Sequence, residues 1–413
     1  MPHRRLVALI AIAASFAAAP AARAATACPN PTGTSEFQRA VPEQVDLDGA
    51  KVRSALRFMT SRLAVSARVY RHGCLVATSG LDPLTQNTRA NIWSATKGVT
   101  ALLTGRAITQ GKLGLDDPIG RYLPQADAAH GAITVRQLLT QTSGLRFAWL
   151  SDIATPDTVN YTLALPFAHT PGTYFEYAQT TVTLLAAVVQ RAVGEDLQAY
   201  AQRELFDPLG IPRSHWNWSR DAKRQTQGYA FLYLPPKDLG RIGQLLLQRG
   251  SWNGAQLIDA GYMRELSAPT PTNGAYGFLA WTNEGGTMIT ATAPSRRVID
   301  APFLPPAPRD AFAFVGFMGQ LVLAIPSLDM VVIRTGYPGN VDPDAHSLLT
   351  SKSGDMDYES TRMLMQAVRD VKVPDPGPFE RVRRFESFDT AKWLDLRTLL
   401  LSLAPPRCTL ATC

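Results

Sequence analysis

Ser94 and Lys97 are the pair in this chain whose types and spacing could do chemistry on a carbonyl. Three residues apart on a helix, they share a face, so the amine can reach the hydroxyl. A lysine withdrawn from water gives up its charge readily, and the neutral amine can take the serine proton and create a nucleophile. Around the pair runs Asn91-Ile92-Trp93-Ser94-Ala95-Thr96-Lys97-Gly98-Val99-Thr100, followed by Ala101-Leu102-Leu103 and Ala107-Ile108. That apolar stripe at helical spacing predicts a buried helix. Trp93 marks where the chain enters it, and there free backbone N–H groups and the positive dipole end favour a developing oxyanion. Lysine occurs only at 51, 97, 112, 223, 237, 352, 372 and 392, and Lys97 alone has a serine three residues earlier.

Other chemistries find little support. The six histidines, at 3, 72, 130, 169, 215 and 346, are scattered without His-x-His or His-Glu-x-x-His, and no Cys-x-x-Cys occurs, so no metal is expected. Gly105 to Lys112 approaches a phosphate-binding loop, but it has one residue too many, and Leu113 stands where Ser or Thr would hold magnesium. Basic residues are dispersed and give no stripe for nucleic acid.

The elements that must position the pair come from a chain of 413 residues, 46% hydrophobic and 18% charged, which suits a globular protein with one large or two interleaved lobes. Residues 1–24 read as a secretory signal: Arg4-Arg5, an apolar run from Leu6 to Ala19, and a small-x-small site at Ala22-Arg23-Ala24. Its removal takes the net charge from +7 to +4, through loss of Arg4, Arg5 and Arg23. A periplasmic or secreted location is expected, with no later segment long and apolar enough to span a bilayer. Four cysteines then suggest disulfides. Cys408 with Cys413 would leave Cys28 with Cys74, although spacing does not fix the pairing.

Residues 25–45 form an extended lead-in. A helix over Gly49–Met59 with Asp48 as its cap is followed by a hairpin, Ala67–Arg71 and Leu75–Thr78, turning at His72-Gly73. Helices dominate the middle, over Thr134–Leu139, Thr181–Val193, Leu197–Phe206 and Asp238–Arg249. Strands return at Phe312–Phe314, Leu321–Ile325 and Val331–Arg334, before a helix at Tyr358–Val368. This order predicts an α+β fold: an antiparallel sheet flanked by helices, its edges drawn from both chain ends, with an all-helical lobe inserted at about 120–250. The main domain would run from 46 to 372. Residues 373–413 form a Pro-rich linker and a tail with a leucine-rich patch at Leu394–Leu403.

The chain resembles the serine β-lactamase and penicillin-recognising family, in its branch of class C β-lactamases, D-alanyl-D-alanine carboxypeptidases and esterases. Ser94-Ala95-Thr96-Lys97 matches the first family motif. Gly111 to Ile119, Tyr122-Leu123-Pro124, Ile133 to Leu145, Phe206 to Ile211 and Asp238 to Leu247 follow in the family's order, so the resemblance covers about residues 48–370. It implies an exported serine hydrolase that forms an acyl-enzyme on Ser94 without cofactor or metal and cleaves a small ester, amide or peptide-like molecule. The second motif, Tyr-x-Asn, is here Tyr177-Ala178-Gln179. Tyr177 is then implied to be a base and acid whose phenol loses its proton easily beside an ammonium. The third, Lys-Thr-Gly or His-x-Gly, is matched by Phe317-Met318-Gly319, with the N–H of Gln320 joining that of Ser94 as the oxyanion hole. Phe317 in place of a cation argues against strong β-lactam hydrolysis and towards neutral substrates. Gln179 and Phe317 together leave open a binding protein of the same fold with impaired catalysis.

Overall fold

The structure, a computed structural model, describes residues 25–291, 298–337 and 354–380. The signal segment, Cys408, Cys413 and the leucine-rich patch lie outside them.

After the lead-in comes helix α1 (Gly49–Ser61), and Asp48 caps it through the amides of Ala50 and Lys51. The hairpin then forms β1 (Ala64–Arg71) and β2 (Cys74–Thr78), with His72 in a left-handed turn conformation. Cys28 is disulfide-bonded to Cys74, which ties the lead-in to the hairpin. The catalytic candidates open α2 (Ala95–Thr109), and the lobe's longest described helix is α3 (Thr180–Val193). Helix α4 (Pro236–Leu247) precedes β3 (Trp281–Thr282), β4 (Phe312–Gly316), β5 (Gln320–Ile325) and β6 (Met330–Gly336), and α5 (Gly354–Met365) closes the fold.

The six strands make one antiparallel sheet in the order β2-β1-β6-β5-β4-β3. The two chain ends therefore meet at the sheet's centre, where β1 pairs with β6. Of the edges expected from the two ends, β2 does come from the N-terminal hairpin, whereas the other edge is β3 and the late strand β6 lies inside. The cause is burial: β6 is buried at every position, so it needs a strand on each side and a cover on each face.

Alternation along the strands sorts the covers. Val331 and Ile333 point at Gly243 of α4, whereas Arg334 reaches the carbonyl of Arg62 and lies by Met356 of α5. Helix α4, which sequence grouped with the helical lobe, thus lies on the sheet. On the same face Phe314 of β4 presses on Gly98 so closely that a Cβ there would sit 2.2 Å from the ring. Helix α2 is buried from Ala95 to Gly105 and again at Ala107, on all sides and not along one stripe. It runs between sheet and lobe, where every side must be apolar or internally paired.

Candidate active site

Ser94 stands at the mouth of α2 and is reached through a strained turn. Trp93 has φ of 48°, a left-handed conformation that bulky residues rarely adopt, and its N–H donates to Asn91 Oδ1 at 2.9 Å. A serine at a helix N-cap usually spends its hydroxyl on an amide of the first turn. Ser94 makes no such side-chain bond, and the amides of Ala95, Thr96 and Lys97 go to the carbonyls of Ile92, Trp93 and Ser94. The hydroxyl is thereby kept for other partners.

Those partners are Lys97 and Tyr177. Lys97 Nζ lies 3.1 Å from Ser94 Oγ, donates to Gln179 Oε1 at 2.6 Å, and stands 3.3 Å from the Tyr229 carbonyl. The side chain is 1% exposed, and burial alone pushes the amine well below the usual lysine range. In its neutral form the amine would have two N–H donors, for Gln179 and the Tyr229 carbonyl, and one lone pair for the Ser94 hydroxyl.

Tyr177 hydrogen-bonds the Ser94 side chain, and the Lys97 amine sits 4.6 Å from its ring centre. Its ring packs among Tyr276 and Trp281. The expectation of an easily ionised phenol is not met: burial raises its pKa far above the ordinary tyrosine value, and the bond to Ser94 only partly offsets this. The raised value keeps the Tyr177 phenol protonated at neutral pH, as a donor.

The segment bearing Tyr177 is clamped by Gln141, itself left-handed at φ 58°. The Gln141 carbonyl accepts from the Glu176 amide, and its side-chain oxygen from the Ala178 amide at 2.5 Å. Gln179 is the N-cap residue of α3 but makes no side-chain cap bond, so its carbonyl is available to Lys97. On the other side, α2 holds the segment 228–232 along its length. Thr100 Oγ1 donates to the Gly228 carbonyl, Lys97 meets that of Tyr229, and the Leu232 amide donates to Thr96 Oγ1.

The third motif lands differently from its sequence reading. Residues 317–319 are the turn between β4 and β5, with Met318 and Gly319 at φ 65° and 74°. A Cβ on Gly319 would meet Arg334 and Met356, on the face away from α2. Gln320 starts a strand flanked by β4 and β6, and its side-chain amide pairs with both backbone groups of Gly336. The contacts of the two residues thus run to Arg334, Met356 and Gly336. The glycine that approaches the site is Gly316, where a Cβ would lie 2.1 Å from the Ile92 carbonyl oxygen. It places Phe317 beside the nucleophile turn, with its ring edge-on to Trp93 at 5.6 Å. Because β3 pairs with β4 only at Phe312 and Ala313, the outer edge of β4 beyond them carries no strand among the described residues. Sequence reasoning thus missed Gln141, Tyr229, Phe231 and Gly316. For Gly316 a signal existed, since Gly-x-x-Gly offers two glycines.

A buried serine, lysine and tyrosine thus meet at the join of the sheet and the helical lobe. The sequence matches the Beta-lactamase family over residues 39–335, and the chain belongs to that family. Esterase EstB of Burkholderia gladioli is 29% identical over 153 residues, which are 31% of this chain and 38% of that protein. Monacolin J acid methylbutanoyltransferase of Aspergillus terreus is 29% identical over 160 residues, 32% of this chain and 38% of its own length. The chain thus spans well under half the length of either relative. Among solved structures, a Bacillus anthracis protein provisionally called a 6-aminohexanoate-dimer hydrolase superposes with a TM-score of 0.61 at 16% identity, covering 78% of this chain and 86% of its own. These are β-lactamase-like folds, as the α+β reading expected.

Proposed function

We propose that this chain is an exported serine hydrolase that forms an acyl-enzyme on Ser94 and releases it to water, with a small ester, amide or peptide-like molecule as substrate. The observation that carries the proposal is the buried Lys97 amine 3.1 Å from Ser94 Oγ, with burial pushing its pKa well below the usual lysine range. The Cys28–Cys74 disulfide supports export, because such bonds persist in oxidising compartments.

In the first step Ser94 Oγ bonds to the substrate carbonyl carbon while its proton passes to Lys97 Nζ. Lys97, now an ammonium in a dry site, returns that proton through the Tyr177 hydroxyl to the leaving oxygen or nitrogen, whose bond to the carbonyl carbon breaks. Water repeats the sequence on the acyl group, giving up a proton to the same relay, and Ser94 is regenerated. The amide of Ser94 and that of Phe317, in place of Gln320, are assigned to the oxyanion. The packing of Gly316 on Ile92 supports that change. Gln179, far from impairing the site, holds the amine that must act as base, which favours turnover over mere binding. The names of the esterase and acyltransferase relatives fit acyl transfer from such an intermediate.

Ser94→Ala tests this: hydrolysis of p-nitrophenyl butyrate is expected to vanish while the circular dichroism and melting temperature stay those of wild type. Undiminished hydrolysis by that variant rules the assignment out.

A further inference from the structure

Three half-buried aromatic rings stand together at the Ser94 turn. Trp93 touches Phe231 on one side and Phe317 on the other, each with ring centres 5.6 Å apart, and Phe231 continues to Tyr229 at 5.8 Å. Two of the three residues are left-handed: Trp93 at φ 48° and Phe231 at φ 61°. Strain of that kind in large side chains persists only where the surroundings enforce it, and it gathers at functional sites. Here the enforcement is visible. Ile92 donates to the Leu232 carbonyl, Ser219 to that of Phe231, and α2 holds Tyr229 and Leu232 from below. The two rings come from segments more than a hundred residues apart in sequence, yet both backbones are bent to aim them at one place.

We propose that Trp93, Phe231 and Phe317 form an apolar subsite next to the nucleophile that selects an uncharged hydrocarbon group, aliphatic or aromatic, on the acyl side of the substrate. This rests on the hydrolase reading and names its substrate class. An apolar group entering the collar removes ring surface and its own surface from water. A carboxylate entering there loses hydration against ring surface, and the three rings carry no charge to offset that loss.

The test is a series of p-nitrophenyl esters from acetate to hexanoate, together with the p-nitrophenyl monoester of glutaric acid, whose acyl chain ends in a carboxylate. Wild type is expected to gain up to roughly fourfold in kcat/KM per added methylene, the equivalent of about 0.8 kcal/mol each, and to prefer pentanoate over the glutarate monoester at least a hundredfold. Phe231→Ala is expected to cut the hexanoate-to-acetate ratio at least tenfold, mainly through KM. Phe231→Leu, which keeps an apolar side chain, restores most of the ratio and controls for folding. A flat series in wild type, equal use of the glutarate monoester, or an unchanged ratio in Phe231→Ala overturns the subsite while leaving the hydrolase intact. Failure to cleave any ester, with no label on Ser94 from a fluorophosphonate, defeats both readings together.

Discussion

Gly316→Ala is the substitution on which the geometry makes its sharpest demand. Gly316 is absent from the left-handed positions, so its backbone suits alanine and any effect comes from space. The new Cβ would lie 2.1 Å from the Ile92 carbonyl oxygen and 2.9 Å from Gln320 Cβ. An ordinary contact begins near 3.4 Å, so the end of β4 must retreat from the Ser94 turn by about 1.3 Å. Displacement on that scale in a preorganised site costs about 10²-fold in rate, or roughly 2.7 kcal/mol of transition-state stabilisation. The assay is kcat and KM on p-nitrophenyl butyrate beside a thermal melt. The expected result is kcat down about a hundredfold, KM changed severalfold at most, and a melting temperature lowered by a few degrees. Gly319→Ala is the contrast. It is strained at φ 74° and its Cβ runs into Arg334 and Met356, so it should cost stability while sparing kcat. A Gly316→Ala enzyme within twofold of wild type would refute the claim that the edge of β4 completes the site.

Lys97→Met removes the base and should lower kcat by 10²- to 10⁴-fold, read with the same ester. Because the folded pKa of Lys97 lies below its unfolded value, wild type binds fewer protons when folded and gains stability as pH rises through that window. Lys97→Met should therefore melt higher than wild type, by more at pH 6 than at pH 9. Burial without a cation holds Asp152 at about 7, although the Tyr161 hydroxyl at 3.1 Å and Thr180 Oγ1 at 3.3 Å donate to it. Its folded state thus binds the extra proton, and stability falls as pH rises from about 4 to about 7, by at most about 4 kcal/mol. Asp152→Asn should remove that slope in denaturant titrations, and an unchanged slope would contradict the assignment. Opening the Cys28–Cys74 bond, which spans 46 residues, should cost up to roughly 4 kcal/mol by loop entropy, measured as a fall in the urea midpoint of Cys28→Ser/Cys74→Ser.

Much of the site was legible because its strongest constraints are local. Ser94 and Lys97 are neighbours by helical geometry alone, and Asp48, the α1 helix and the hairpin at His72 follow from capping and turn chemistry. Tyr177 and Gln179 were found by their place in a family pattern, and they do meet Lys97 although some eighty residues away. What could not be read depends on the finished interior. The state of the phenol turns on how deeply Tyr177 is buried, and that of the amine on how deeply Lys97 is, neither of which spacing contains. Choosing between Gly316 and Gly319 needs the packing of β4 on Ile92. Left-handed Trp93 and Phe231 have no signal at all, since such conformations are written in sequence mainly by glycine and asparagine. The sheet order was missed because hydrophobic strands do not declare whether they are central or peripheral.

The central claim is that Ser94 is the nucleophile activated by Lys97, and the most direct measurement is the mass of the protein after incubation with a fluorophosphonate. The account predicts one adduct on the peptide carrying Ser94, forming faster as pH rises through the lowered Lys97 titration and lost in Lys97→Met. An adduct on another residue, or labelling of Ser94 at the same rate in Lys97→Met, would contradict it.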